Sequence, residues 1–255
     1  HAWRRGWKQT LKQRKWPRLL AISSHGSTTM ERYDAAANAW RMEAVAPIPA
    51  TRVSFRMAVL DGKIYAVGGW VEVASTNAAS RYDPVAQAWE AVAPMTRLRG
   101  DPGVAVLAGK LYAAGGGDGR GGDSGSVERY DPAQDAWEAV APMGTAREDL
   151  GAAVLDDKLY AVGGRAFGTS FRSAERYDPA LDAWEEVAPM STAREQLGVA
   201  VLDGKLYAVG GYNDGSLSSV ERYDPAQDGC VGGGGAADAG SLRGRGGGAG
   251  RQAVR

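Results

Sequence analysis

Along most of this chain the apolar positions come in short blocks or alternate with polar ones, and the three-to-four-residue spacing of a helix face is absent. "AAVL" (Ala152–Leu155) and "KLYAV" (Lys158–Val162) have strand length, and Asp156-Asp157 between them is a two-residue hairpin signal. The same pair of blocks stands at 57–67, 104–114 and 199–209, split by Asp-Gly or Ala-Gly. Each second block ends in a Gly-Gly pair, and a polar stretch of changing length follows. A third block, written "SVERY" in its fullest form, stops at Asp-Pro (Asp83-Pro84, Asp131-Pro132, Asp178-Pro179, Asp224-Pro225), where Asp opens a turn and Pro fixes φ. The fourth block, "AWEAV", alternates large apolar with charged residues. The pattern predicts four short strands per unit and an all-β chain.

The unit repeats. Leu150–Gly164 and Leu197–Gly211 agree at thirteen of fifteen positions and lie 47 residues apart. The tyrosines of "RYD" (Tyr33, Tyr82, Tyr130, Tyr177, Tyr223) follow one another at 49, 48, 47 and 46 residues. Tryptophans stand seven residues after the first four, at Trp40, Trp89, Trp137 and Trp184. The prolines of "APIP" and "VAP" (Pro47, Pro94, Pro142, Pro189) each precede the second glycine of a pair by 22 residues. A period in this range marks a propeller, solenoid or array. One four-stranded sheet cannot bury both faces, so stacked copies are expected to pack Tyr82, Tyr130, Tyr177 and Tyr223 with Trp89, Trp137 and Trp184 between sheets. The pairs Gly68-Gly69, Gly115-Gly116, Gly163-Gly164 and Gly210-Gly211 end strands. No helix or Lys-Ser/Thr follows them, so they are expected to make backbone bends with positive φ rather than a phosphate loop.

A Gly-Gly pair with Tyr and Trp at fixed separation, repeated every 46–49 residues, resembles the kelch motif. The wording "SVERYDPAQDAWEAVAPM…AR…LGAAVLDDKLYAVGG" is similar in particular to the propeller of Kelch-like (BTB-kelch) proteins. The resemblance covers residues 27–228 and implies a kelch-type β-propeller whose repeats form blades, six being common. This chain departs from six. Complete four-stranded blades are expected at 47–93, 94–141 and 142–188. A partial blade at 27–46 has only the third and fourth strands, and another at 189–228 has "DGCVGGGG" in place of its fourth. The expectation is an incomplete propeller of three full and two partial blades, a fragment flanked by a basic, non-repeat segment (1–26) and a Gly/Arg-rich tail (229–255), both disordered or not native.

Charge refines this picture. The net charge of zero hides seven Lys/Arg and no acid in residues 1–26, four Arg and one acid in 229–255, and 19 basic against 29 acidic residues between. An acidic middle argues against nucleic acid as the propeller's partner. Trp3–Trp16, which mixes Trp with basic residues, and Arg243–Arg251, an RGG-like run, are weaker signals for RNA or a membrane surface, and linker composition explains them as well. No apolar run reaches the roughly 18 residues of a spanning helix, so no membrane role is expected. A single cysteine, Cys230, allows no internal disulfide and points to a reducing compartment, with a cytoplasmic location expected.

Some kelch-type propellers are enzymes. A galactose-oxidase-like copper site needs a Tyr/His cluster with a Tyr–Cys crosslink, but His1, His25 and Cys230 lie outside the blades. The same shortage removes Ser-His-Asp and Cys-His catalysis and zinc clusters. An iron site of three carboxylates, as in the similar plant specifier proteins, fits the composition, although no spacing favours it. The expectation is no enzyme, no metal and no cofactor. The alternatives are a metal-dependent kelch-type enzyme and an actin-binding scaffold.

Function in a repeat fold sits where loops vary on a constant frame. One variable set follows Gly-Gly; the other joins successive blades ("TRVSF", "TRLRGDP", "TAREDL", "TAREQL"). In Kelch-like propellers the two sets share one face that holds a partner's peptide. Carried over by motif, the first set contributes Trp70, Gly117, Arg165 and Tyr212, and the second contributes Ser54, Asp149 and Gln196, with Asp101 in the divergent unit. Trp70, Arg165 and Tyr212 are the favoured anchors, because aromatic and Arg side chains dominate binding hot spots. The recurring arginines, taken as Arg52, Arg97, Arg147 and Arg194, have two readings: a ring gripping an acidic peptide, or scaffold pairs within each blade. The resemblance implies a non-catalytic module that binds a protein or peptide on its loop face. Substrate recruitment to a cullin-type ubiquitin ligase is among the implied roles, through BTB and BACK domains that these 255 residues do not contain.

Overall fold

The computed structural model describes residues 20–22, 30–34, 39–43, 48, 52–119, 122 and 124–232, with side chains for 48, 52–119, 122 and 124–229. The expectations for residues 1–19 and 233–255, for His1 and His25, and for the side chains of Trp40 and Cys230 fall outside these. A leading three-stranded sheet comprises β1 (Leu20–Ile22), β2 (Met30–Asp34) and β3 (Ala39–Glu43). Blade I follows with β4 (Arg56–Leu60), β5 (Lys63–Val67), a short hairpin of β6 (Trp70–Val71) and β7 (Ala74–Ser75), then β8 (Ala79–Asp83) and β9 (Ala88–Val92). Blade II has β10 (Gly103–Leu107), β11 (Lys110–Ala114), β12 (Val127–Asp131) and β13 (Ala136–Val140). Blade III has β14 (Gly151–Leu155), β15 (Lys158–Val162), the hairpin β16 (Arg165–Ala166) and β17 (Thr169–Ser170), β18 (Ala174–Asp178) and β19 (Ala183–Val187). Blade IV has β20 (Gly198–Leu202), β21 (Lys205–Val209), β22 (Val220–Asp224) and β23 (Gly229–Gly232). Each blade is an antiparallel meander, and the described residues form an all-β, incomplete propeller.

Two boundaries differ from the sequence reading. Strand β1 lies inside the segment set apart as non-repeat and pairs with β2, Leu20 opposite Arg32, as the leading sheet's first strand, in the place that β5 holds beside β8 in blade I. The last blade has a fourth strand: β23 pairs with β22, and Cys230 stands opposite Tyr223 as Trp184 stands opposite Tyr177. The backbone ladder continues there although the sequence has lost its aromatic signature, because the turn at Asp224 and the strand-to-strand hydrogen bonds do not need the indole.

The blades stack by a fixed device. Ala58, Leu60, Tyr65, Val67 and Met95 of blade I pack against Val104, Val106, Leu111, Ala113 and Tyr130 of blade II, and equivalent residues join II to III and III to IV. Tyr130 and Tyr177 are buried, but Trp89, Trp137 and Trp184 are half-buried rather than enclosed. Each of the last two indoles reaches the preceding blade by its polar edge. Trp137 Nε1 donates to Ala93 O at 2.8 Å and Trp184 Nε1 to Ala141 O at 2.9 Å. Asp135 Oδ1 accepts both from Tyr130 Oη (2.7 Å) and from Ala93 N (2.9 Å), so one carboxylate ties the tyrosine to the preceding sheet's edge. The final face has no such cover among the described residues: Leu202 is 58% exposed, whereas its counterpart Leu155 is 5% exposed.

Candidate functional site

The recurring arginine belongs to the frame. Arg147 is fully buried, and its Nη1 donates to Gly163 O (2.8 Å) and Ser173 O (3.1 Å), while its Nη2 reaches Glu175 Oε1 at 2.6 Å. Arg194 repeats this with Gly210 O and Glu221. In blade II the equivalent is Arg99, bonded to Gly115 O and Glu128, while Arg97, the sequence choice, is exposed. The signal was present: Arg52, Arg99, Arg147 and Arg194 each stand five residues after a repeat proline, and Arg97 does not. These guanidiniums hold the carbonyls of the Gly-Gly bend, so the acidic-peptide reading of the arginine ring fails on burial.

The paired carboxylates do a second task. Glu128 accepts from Thr96 N (2.7 Å), Thr96 Oγ1 (2.7 Å) and Arg97 N (3.2 Å), capping the loop that leads into blade II. Burial opposes its ionisation, but the Thr96 bonds and the Arg99 guanidinium outweigh that and hold its carboxyl below the usual range. Blade I has Ser80 at this position, and Arg52 bonds to Ser80 Oγ (3.0 Å) instead of a carboxylate. Burial then pulls the Arg52 guanidinium down to about 10.

On this frame the two variable loop sets meet. The residue after Gly-Gly forms an antiparallel bridge with the residue after the buried Arg: Trp70 with Val53, Gly117 with Gly100, Arg165 with Glu148, Tyr212 with Glu195. Both glycines of each pair take positive φ, Gly115 at 68° and Gly116 at 98°, and a Cβ on Gly115 would lie 2.2 Å from Arg147 O. Only glycine lets the strand end turn back under the incoming loop. The next position in the inter-blade loops, Ser54, Asp101, Asp149 and Gln196, is left-handed in all four, with φ between 48° and 54° despite four different settings. There the main chain runs from blade to blade, Asp149 N donating to Asp101 O (3.0 Å) and Gln196 N to Asp149 O (2.9 Å).

The candidate binding residues are not equivalent. Tyr212 is exposed and Gln196 is exposed, while Ser54 is half-buried. Trp70 and Arg165 open the short hairpins β6 and β16 rather than lying in free loops. Trp70 Nε1 donates to Asp101 Oδ2 at 2.8 Å, and its ring lies on Gly100, where a Cβ would sit 2.2 Å from Cε2. Gly117 carries no side chain, and a Cβ there would fall 2.4 Å from Glu148 Oε2. Asp149, expected at the contact surface, is only 2% exposed. Burial first, and Asp101 second, push its carboxyl up to about 6, against the opposing hydrogen bond from Gln196 and the charges of Arg165 and Arg56.

Between Trp70 and Arg165, where blade II offers only Gly117, lies a groove of about 340 Å³. Trp70 and Phe167 line it on their respective blades, Gly117, Gly119 and Gly122 leave it open, and Glu148 and Arg165 supply its charge. Sequence reasoning missed Phe167, which is 82% exposed at a hairpin tip. Its signal was a Phe-Gly pair where a tight turn ordinarily takes Asn-Gly or Asp-Gly. It also missed Glu148, Glu195 and Arg56; the last stands where the other three blades begin their first strand with Gly. Among the described residues no three His, Cys, Asp or Glu are grouped to hold a metal ion.

No curated protein matches the chain. The Kelch motif matches residues 51–96, 98–144, 146–191 and 193–228, more than half of the sequence and the same four units that fold as blades I to IV. With that match, the buried Arg, the Gly-Gly bend and the Tyr–Trp ladder recurring in register, the chain belongs to the kelch-repeat family.

Proposed function

We propose that this propeller is a non-catalytic binding module that holds a partner protein or peptide on the face where the two variable loop sets meet. The kelch propeller is a common protein-interaction module. The observation that carries the reading is the contrast within each blade: Arg, Tyr and Gly-Gly repeat as frame in all four, while the bridged loops differ in every blade and end in a groove flanked by Trp70 and Phe167. A half-buried Trp70 and an exposed Phe167 beside a concave, partly charged surface match the usual composition of a recognition site. Similarity to the propeller of BTB-kelch proteins supports a role in delivering the bound protein to a cullin-type ubiquitin ligase in the cytoplasm.

The test is recovery of partners from lysate by the wild-type chain, by a Phe167→Ala/Tyr212→Ala variant and by a Trp70→Ala/Arg165→Ala/Tyr212→Ala variant. The first variant alters two exposed side chains and keeps the fold; the second also removes the Trp70–Asp101 bond, so its melting temperature is measured alongside. Losing a hot-spot side chain weakens binding by about 2 kcal/mol, or roughly thirtyfold. Equal recovery of every partner by all three proteins places recognition elsewhere.

A further inference from the structure

One buried guanidinium lacks the counter-charge that its copies have. In blades II, III and IV the frame arginine pairs with a carboxylate: Arg99 with Glu128 at 2.9 Å, Arg147 with Glu175 at 2.6 Å and Arg194 with Glu221 at 2.7 Å. The Nη2 of each also donates to a serine hydroxyl, of Ser126, Ser173 or Ser219. Blade I has lost both acceptors: Ser80 stands where the others have Glu, and Ala78 where they have Ser. Arg52 is only 4% exposed, and among the described residues no carboxylate pairs with it. Its Nη1 donates to Gly68 O (3.2 Å) and Ala78 O (2.7 Å), its Nη2 to Ser80 Oγ alone (3.0 Å), and its Nε has no hydrogen-bond partner. Arg194 Nε is also without a partner, but Arg194 has Glu221 for its charge. A buried charge with no counter-charge is costly to a fold.

The other blades show what fits that place. In blade II a single oxygen, Glu128 Oε1, accepts from both Arg99 Nη2 (2.9 Å) and Arg99 Nε (3.3 Å), so one atom satisfies that edge of the guanidinium. The same edge of Arg52 meets Ser80, whose side chain stops at its hydroxyl. The ring of Phe55 lies 6.0 Å from the Arg52 guanidinium carbon and brings no hydrogen-bond acceptor. The carboxylates of the other blades also cap main-chain N–H groups, Glu128 those of Thr96 and Arg97, Glu175 those of Gly144 and Thr145. In blade I the position equivalent to Thr96 and Gly144 is Pro49, which has no N–H to cap. The loop's need for a carboxylate is therefore smaller there, while the guanidinium's need for an anion is unchanged. Ser80 is 3% exposed, so the site is enclosed and suits an anion of atomic size rather than a phosphate or a peptide carboxylate. We propose that blade I binds a chloride ion beside Arg52 and Ser80, where it accepts from Arg52 Nε and Nη2 and from the Ser80 hydroxyl. Arg52 holds Gly68 O, and Val53 beside it bridges Trp70, so the ion steadies the bend on which Trp70 stands. The inference does not depend on the loop-face reading above.

The measurement is the melting temperature of the full chain by scanning calorimetry as sodium chloride replaces sodium gluconate at a constant ionic strength of about 0.5 M, which holds screening fixed. Gluconate is too large for the enclosed site. Chloride and gluconate also act on any protein surface, so the reading is the difference between the wild type and Ser80→Glu, which puts the carboxylate of the other blades in the ion's place. For a dissociation constant of about 50 mM, going from about 5 mM to about 500 mM chloride shifts the wild type upward by about 3 °C more than the variant. Sodium bromide gives the same difference, and crystals of the wild type grown in it show an anomalous peak against Arg52 Nε and Nη2 that Ser80→Glu lacks. Equal shifts in the two proteins overturn the proposal, because they place the effect of chloride on the general surface. Bromide peaks elsewhere with none at Arg52 have the same consequence.

Discussion

Leu155 and Leu202 occupy the same place in the repeat, the last residue of a blade's first strand, and differ in whether another blade stacks on them. Leu155 packs against Leu206, Ala208 and Tyr223 of the next blade; Leu202 lies on the last blade's outer-facing side. Truncating leucine to alanine removes three carbons, worth about 0.8 kcal/mol each when fully withdrawn from water. At Leu155, 5% exposed, almost all of that is lost and an inter-blade cavity remains, for a total of about 3–4 kcal/mol. At Leu202, 58% exposed, less than half of the transfer is at stake and no closed cavity forms, for about 1 kcal/mol. Urea unfolding of Leu155→Ala and Leu202→Ala, followed by far-ultraviolet circular dichroism and tryptophan fluorescence, separates the two. In thermal scans the shifts are about 10 °C and about 3 °C. Equal losses refute the reasoning, because they require the face of blade IV to be covered in solution.

Buried charge gives two further outcomes. Glu175→Gln strands the fully buried Arg147 without a counter-charge and costs about 3–5 kcal/mol, whereas Ser80→Glu supplies Arg52 with the partner its blade lacks and stabilises by about 1–2 kcal/mol; denaturation midpoints moving in the same direction contradict the assignment. Asp149 is raised from 3.8 to about 6 by burial and then by Asp101, so the folded state holds an extra proton between those values. Its contribution to stability is greatest below about pH 4 and is lost as pH rises through about 6. Asp149→Asn therefore raises the melting temperature at pH 8, by the equivalent of about 2–3 kcal/mol, and changes it little at pH 4. An equal change at both pH values is inconsistent with this origin.

The repeat itself carried the fold. Tyr–Trp spacing, Gly-Gly pairs and two-residue turns are local or periodic, and each copy is its own evidence that the pattern is structural; hence the four-stranded units and the two variable loop sets were legible from residues alone, while that the sets share one face was implied by the family resemblance. Strands without that signature were not: β1 and β23 form by pairing with a neighbour, and main-chain hydrogen bonds are indifferent to whether Trp or Cys occupies position 230. The arginine was legible by its distance from proline and was misplaced only where a second Arg stood two residues away. What tertiary structure alone decided is the character of the face. Asp101, Asp149 and Gln196 are one residue per blade, 47–48 apart in sequence, and became neighbours only when the blades stacked. Burial and the groove opposite Gly117 are properties of three blades at once, set by which side chains share the space between them. A pattern that describes one blade at a time does not contain them.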